Sequence, residues 1–165
     1  MTEQSVAIVD AKGPMDMDHI RSLFREYQEW LGVDLCFQGF EDELAGLPGK
    51  YSEPRGCLML ARDQGAKEGA GIAGGVGMWP LEEGICEMKR LYVRPPWRGG
   101  GLGRRLAVAI IGESAARGYR LMRLDTLAQL KEARALYESL GFKETGPYYD
   151  NPLDGVTYME LAVSE

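Results

Sequence analysis

The stretch with the clearest chemical meaning is "RGGGLGRRL", residues 98–106. Glycines let a ligand lie close to the backbone, and the first N–H groups of a helix favour an anion. Because an amphipathic helical pattern begins at Leu102, the segment predicts a strand-to-helix turn that binds a pyrophosphate. It is not a Walker A loop, since Arg104 and Arg105 follow Gly103 where Lys and Ser or Thr are required. A tight turn that binds no ligand is the alternative.

A second glycine pattern, "GAGIAG" at residues 69–74, matches the dinucleotide motif G-x-G-x-x-G in letters only. It leads into "GVGMWP", where two more glycines and Pro80 disfavour the helix that the motif requires. We therefore predict a glycine-containing strand here.

Hydrolytic triads and metal sites are disfavoured by residue type. His19 is the sole histidine, so a Ser-His-Asp or Cys-His hydrolase depends on it alone. The three cysteines form no C-x-x-C pair, and we expect neither a disulfide framework nor a metal site but reduced, buried thiols at Cys36, Cys57 and Cys86.

Composition predicts a single domain over residues 1–165, soluble and cytoplasmic, with no membrane span and no targeting segment. The net charge is −6, yet residues 89–123 carry nine basic side chains and one acid, Glu113. This segment is either an ordinary solvated face or a local anion site. The acidic remainder repels nucleic acid and favours a small cationic substrate.

The elements that position the glycine turn follow from periodicity. Strands are expected at 5–11, 56–62, 71–79, 85–93, 120–127, in "FKETG" and at 156–163. Helices are expected from Asp16, as N-cap, to Gly32, around Phe40 to Leu47, from Leu102 to about Arg117, and before Gly141. The order β-α-α-β-β-β-α-β-α-β-β predicts an α/β (α+β) fold around one mixed, mostly antiparallel sheet of about seven strands with four helices.

Two segments carry a resemblance to a known family. "MKRLYVRPPWRGGGLGRRL" resembles the core signature of the GNAT superfamily of N-acetyltransferases, with Arg98, Gly101 and Gly103 at its defining positions. "ARALYESLGF", residues 133–142, resembles the second signature about 30 residues downstream. The likeness covers nearly the whole chain and implies the GNAT acyl-CoA N-acyltransferase fold.

The resemblance also implies how acetyl-CoA is bound, with no metal. The amides of Gly99, Gly100, Gly101, Leu102, Gly103 and Arg104 are expected to hold its pyrophosphate. The pantetheine arm is expected to pair, like an added strand, with the backbone that a bulge exposes at Leu91, Tyr92 and Val93. An amide near Leu91 is expected to stabilise the oxyanion.

Two side chains take catalytic roles by the same resemblance. Tyr137 is expected to protonate the leaving thiolate, although periodicity alone places it in the core. Glu87 is expected to be the general base, directly or through water; the alternative is an exposed carboxylate or one paired with an arginine. Transfer is expected to be direct, through a ternary complex. The family's asparagine before the tyrosine is Leu130 here, so its contact with the cofactor is lost or supplied by Thr126 or Gln129.

The acceptor is expected to be the amine of a small molecule or of a protein. The resemblance places its pocket among the first two helices, their connecting loop and the late strands, with candidates Asp34, Gln38, Trp79, Tyr148, Tyr149 and Asp150. Homodimers are common among such proteins. A non-catalytic acyl-CoA-binding module and a nucleotide-binding or hydrolysing protein are the alternative functions.

Overall fold

A computed structural model describes residues 5–35, 39–66 and 71–164. Its strands are β1 (Val6–Asp10), β2 (Cys57–Asp63), β3 (Ile72–Glu82), β4 (Ile85–Val93), β5 (Leu121–Leu127), β6 (Lys143–Thr145) and β7 (Val156–Ala162). Its helices are α1 (Gly13–Leu31), α2 (Phe40–Ala45), α3 (Leu102–Ala116) and α4 (Lys131–Ser139), with short 3-10 turns at Gly49–Tyr51 and Pro95–Trp97. The predicted order and fold class are confirmed.

The seven strands form one sheet in the order β1-β2-β3-β4-β5-β7-β6. Only β4 and β5 run parallel among neighbours, and their register consists of Ile85–Leu121, Cys86–Met122 and Glu87–Arg123. Beyond these pairs the two strands separate. This separation is the feature that creates the site.

A bulge in β4 accompanies the separation. The register with β3 shifts between Gly75 and Gly77, and Arg90 lies at φ 61°, a left-handed conformation that is uncommon for a side-chain-bearing residue. Next to the bulge, Gly74 pairs with Val93 and approaches β4 so closely that a Cβ atom would lie 2.4 Å from the carbonyl oxygen of Tyr92. The "GAGIAG" glycines that the structure describes therefore serve strand packing, as predicted; Gly69 lies outside the described residues.

Two apolar cores lie on the two faces of the sheet. Helices α1 and α2 cover one face, with Ile20, Leu23, Phe24, Phe40 and Leu44 at the centre. Helix α3 and the residues Tyr137 and Phe142 cover the other. Cys57 and Cys86 are buried free thiols, as expected, whereas Cys36 lies outside the described residues. In the described part of the chain, no helix combines the length and the apolar character that a membrane crossing requires.

One predicted helix boundary is wrong. Asp16 is not the N-cap of α1; the N-cap is Lys12, four residues earlier, and Pro14 lies in the first turn. The Asp16 carboxylate accepts a hydrogen bond from the backbone N–H of Lys12 (2.8 Å) and pairs with Arg62. It therefore satisfies the helix start from inside the first turn, a role that periodicity does not distinguish from capping.

Candidate active site

The N-terminus of α3 is not capped by any side chain of the described residues. Gly101 is its N-cap at φ 81°, and its first turn contains no acid. The N–H of Arg105 donates to the carbonyl of Gly101 (3.1 Å), so the N–H groups of Leu102, Gly103 and Arg104 precede the first intrahelical bond. Gly99, at φ 90°, has nothing within 4 Å of an added Cβ. This geometry suits a pyrophosphate.

The charge of the basic segment is largely neutralised away from this turn. Five of its nine cations lie within 4 Å of a carboxylate: Lys89, Arg90, Arg94, Arg117 and Arg123. At the turn itself, Arg98 donates from Nε to the carbonyl of Val93 (2.8 Å) and Arg104 donates to Ser139 Oγ (2.7 Å). Their partners are neutral, so positive charge remains at the N-terminus of α3 and the glycine turn before it, which we call the mouth of α3.

A cleft of about 500 Å³ runs from this mouth between β4 and α4. Its lining includes most of the predicted cofactor residues, namely Leu91, Tyr92, Val93, Arg98, Gly99, Gly101, Leu102 and Gly103. Gly100 and Arg104 lie beside the lining rather than in it. Trp30, which no sequence pattern pointed to, also lines the cleft. It is half-exposed on α1 and lies under the guanidinium of Arg98 (5.2 Å to the ring centroid).

Leu130 stands at the position of the family's asparagine, and the two residues that could replace the asparagine contact, Gln129 and Thr126, have different surroundings. Leu130 lines the cleft, and the neighbouring Gln129 donates from Nε2 to the carbonyl of Leu31 (2.8 Å), which ties the loop before α4 to the end of α1. Thr126 is 5% exposed, and its Oγ1 has no hydrogen-bond partner among the described residues.

Glu87 is buried rather than exposed, which excludes one alternative. It is 3% exposed; Trp79 Nε1 donates to its Oε1 (2.7 Å) and the Tyr148 hydroxyl donates to its Oε2 (2.5 Å). Its ion-pair partner is Lys89, at 3.6 Å, and not an arginine. Each oxygen of the Glu87 carboxylate therefore already accepts a hydrogen bond, which sequence periodicity could not indicate.

A second phenol–carboxylate pair lies on the β5 side of the gap that opens between β4 and β5 after their last paired residues. The hydroxyl of Tyr149 donates to Oδ2 of Asp125 on β5 at 2.6 Å, beside the Tyr148–Glu87 pair on β4. The rings of Tyr148, Tyr149 and Tyr158 pack at 5.2 to 5.7 Å between centroids. Consecutive tyrosines thus bond to the last paired residue of β4, Glu87, and to Asp125, which lies beyond the paired part of β5.

The other acceptor candidates differ in placement. Trp79 contacts Glu87, whereas Asp34 and Asp150 are exposed and Gln38 lies outside the described residues. Sequence reasoning missed Asp125. A lone acid inside the apolar strand "RLMRLDTL" was the available signal.

Tyr137 is buried in the core that α3 covers and is not among the residues that line the cleft. It is 7% exposed, with its ring 5.7 Å from that of Phe142. Burial raises its pKa well above the ordinary value, and the charges of Tyr27 and Asp125 raise it further. Tyr27, whose pKa burial raises to about 12, lines a small cavity together with Asp125.

The tyrosines predict a pH dependence of stability. Burial is the largest cause of a raised pKa at all eight: Tyr27, Tyr51, Tyr92, Tyr119, Tyr137, Tyr148, Tyr149 and Tyr158. The unfolded chain loses these protons near pH 10 while the folded chain keeps them, so the free energy of unfolding falls as pH rises above about 10. Absorbance at 295 nm should rise together with the loss of far-ultraviolet circular dichroism. Ionisation of most tyrosines near pH 10 with the dichroism intact would contradict this.

Comparison with known proteins identifies the family. A family model for the acetyltransferase (GNAT) domain matches residues 54–144. An uncharacterized N-acetyltransferase of Schizosaccharomyces pombe is 45% identical, over 100% of this chain and 99% of its own. The chain belongs to the GNAT superfamily of N-acetyltransferases. It is accordingly an acyltransferase, as the two signatures predicted.

Solved structures agree with the fold of this acetyltransferase. An acetyltransferase from Streptococcus agalactiae superposes with a TM-score of 0.78 at 18% identity, covering 96% of this chain and 99% of that one. The protein yncA from Salmonella typhimurium, solved with acetyl-CoA, superposes with a TM-score of 0.66 at 20% identity, covering 98% and 95%. Among the described residues of the GNAT chain, no group of three or more His, Cys, Asp or Glu side chains forms a metal site.

Proposed function

We propose that the protein transfers the acetyl group of acetyl-CoA directly to a primary amine, within a ternary complex of enzyme, acetyl-CoA and acceptor. The observation that carries the proposal is the cleft that runs from the mouth of α3 along the β4 edge, next to a small cavity between β4 and β5; Leu130 lines both. The α3 end of the cleft suits a pyrophosphate. The small cavity contains the carboxylate of Asp125 and the phenol of Tyr27.

The chain's own groups have distinct roles in this reaction. The amides of residues 99–104 hold the pyrophosphate, and the β4 edge at Leu91, Tyr92 and Val93 pairs with the pantetheine arm as an added strand does. The β4 backbone near Leu91 donates to the thioester carbonyl as it becomes an oxyanion; one such donor contributes roughly 3 kcal/mol.

Proton transfer completes the reaction at two side chains. The neutral amine attacks the thioester carbon, the C–S bond breaks, and Tyr137 gives its phenolic proton to the departing thiolate. The amine's own proton reaches Glu87 through the Tyr148 hydroxyl. Both Glu87 oxygens already accept hydrogen bonds, one from Trp79 and one from Tyr148, and the Tyr148 hydroxyl lies closer to the carboxylate, at 2.5 Å against 2.7 Å.

Two measurements test the function together. Acetyl-CoA should raise the melting temperature more than ATP does, and a panel of primary amines should release the thiol of coenzyme A from acetyl-CoA. Stabilisation by acetyl-CoA with no thiol release from any amine would favour a non-catalytic acyl-CoA-binding module. Stronger stabilisation by ATP would favour a nucleotide-binding protein.

Removing the charge of Glu87 tests the proton route. In Glu87→Gln, one of the two acceptor oxygens is replaced by an amide nitrogen, so one of the two hydrogen bonds from Trp79 and Tyr148 loses its acceptor. We expect kcat to fall about 100-fold. We expect the free energy of unfolding to fall by about 1 to 3 kcal/mol. Glu82→Gln makes the same chemical change at an exposed carboxylate and should retain the wild-type kcat. A folded Glu87→Gln enzyme with wild-type kcat would exclude this route.

A further inference from the structure

The C-terminal half of α1 contacts the segment before the glycine turn through two side chains on one helix face. Glu26 accepts hydrogen bonds from Arg94 Nε (3.0 Å) and Nη2 (2.6 Å). Trp30 lies under the guanidinium of Arg98, with 5.2 Å between the Cζ atom and the ring centroid. Positions i and i+4 of a helix share a face. One face of α1 therefore holds both arginines that flank the 3-10 turn Pro95–Trp97.

The two contacts have opposite effects on the charge of the arginine. Glu26 forms an ion pair with Arg94, which also donates from Nη1 to the carbonyl of Ile72 (3.0 Å), so the charge of Arg94 is neutralised. Trp30 carries no charge. Its ring attracts a guanidinium through the quadrupole of the indole and leaves the positive charge uncancelled. Helix α1 thus holds Arg98 as a cation that can still bind an anion.

The other contacts of Arg98 are uncharged as well. Its Nε donates to the carbonyl of Val93 (2.8 Å), and its guanidinium lies 5.5 Å from the ring centroid of Tyr92. Burial raises the pKa of Tyr92, so this phenol is neutral. The rings of Trp30 and Tyr92 contact each other, with 5.9 Å between their centroids. These contacts restrict the guanidinium before any ligand binds, which lowers the entropic cost of binding an anion.

Core packing does not account for Trp30. The side chain is 47% exposed, and it belongs to neither of the two apolar cores. Its contacts are instead with Arg98, Tyr92 and Tyr27, at the edge of the cleft that begins at the mouth of α3.

We infer that Trp30 is a positioning residue for acetyl-CoA: it holds the guanidinium of Arg98, with its charge intact, for the pyrophosphate at the mouth of α3. The inference rests on the proposed function, which places the pyrophosphate there, and deepens it by assigning part of the affinity for acetyl-CoA to α1. Trp30 acts through Arg98 and not by contact with acetyl-CoA.

The test is a double-mutant cycle on the Kd of acetyl-CoA, measured by calorimetry without an acceptor amine. Trp30→Leu should weaken binding about fivefold in the wild-type background. In the Arg98→Leu background, the same change should weaken it by less than about twofold, because the partner through which Trp30 acts is gone. Equal weakening in both backgrounds would show that the indole contacts acetyl-CoA itself, and would overturn the inference.

Trp30→Phe adds a conservative variant to the cycle. It keeps an aromatic face for Arg98 and should bind acetyl-CoA within about twofold of wild type. A loss in Trp30→Phe as large as that in Trp30→Leu would also overturn the inference.

A matched pair of variants tests the role of charge. Trp30→Glu gives Arg98 the kind of partner that Arg94 has in Glu26, and should weaken acetyl-CoA binding at least about tenfold. Met15→Glu adds the same charge to an exposed side chain of α1, roughly 20 Å away along the helix axis and outside the cleft lining, and should bind as wild type does. Equal weakening in both variants, or none in Trp30→Glu, contradicts the inference.

The proposed function fails by different results. If no amine of the panel releases thiol, the transfer reaction is contradicted while these affinities can still be measured. If Arg98→Leu alone leaves the Kd of acetyl-CoA unchanged, the placement of the pyrophosphate is contradicted, and the inference falls with it.

Discussion

Tyr137→Phe lowers kcat about 100- to 1,000-fold and leaves the KM for acetyl-CoA near its wild-type value, if the phenol protonates the departing thiolate. The hydroxyl acts on a charge that develops during C–S cleavage, so its loss affects the rate step rather than binding. Because burial raises the pKa of Tyr137, the phenol remains protonated at alkaline pH. We therefore expect no decline of kcat from this group up to pH 10. Steady-state thiol release with any competent amine measures both.

The matched control is Tyr119→Phe. Tyr119 is also buried, and its hydroxyl donates to the carbonyl of Arg55 at 2.8 Å, away from the cleft. This variant should lose about 1 kcal/mol of stability and keep its kcat. A Tyr137→Phe enzyme within about threefold of wild-type kcat would return Tyr137 to the role that periodicity alone assigns it, a core side chain.

Gly101→Val should abolish most of the stabilisation that acetyl-CoA gives. A valine at φ 81° is strained by at least about 1 to 2 kcal/mol, and relief of that strain moves the first N–H groups of α3. A ligand at 100 times its Kd stabilises a protein by about 2.7 kcal/mol, and this increment should largely disappear. Thermal denaturation with and without acetyl-CoA measures the change.

Gly112→Ala provides the comparison within the same helix. Gly112 has no atom within 4 Å of an added Cβ and lies more than two turns from the mouth. Alanine there should stabilise the free protein by about 1 kcal/mol and leave the increment from acetyl-CoA intact. Full retention of that increment in a folded Gly101→Val protein would contradict the pyrophosphate assignment.

The features that the sequence predicted correctly, such as helix ends and the order of the elements, depend on residues that are close together in the chain. Glycines with a helical pattern after them specified the mouth of α3, and Gly32 and Gly141 ended helices as expected, both at positive φ. The element order and the mixed sheet followed from periodicity, because each strand and helix carries its own apolar face.

What the sequence could not predict depends on contacts between distant segments. Tyr148 and Tyr149 are ordinary turn residues until the loop folds over the gap and brings one to Glu87, 61 residues away, and the other to Asp125. Likewise, an acid inside a strand reads as exposed unless the separation of β4 from β5 is known. The resemblance named Tyr148 and Tyr149 as acceptor candidates, whereas their carboxylate partners emerged only from the structure.

The central claim is that acetyl-CoA lies with its pyrophosphate at the mouth of α3 and its thioester in the gap between β4 and β5. The most direct test is a crystal structure of the protein with acetyl-CoA. The account predicts pyrophosphate oxygens about 3 Å from the amides of residues 99–104, and the acetyl group beside Tyr137. Density for the cofactor elsewhere, with α3 starting against protein atoms, would contradict it.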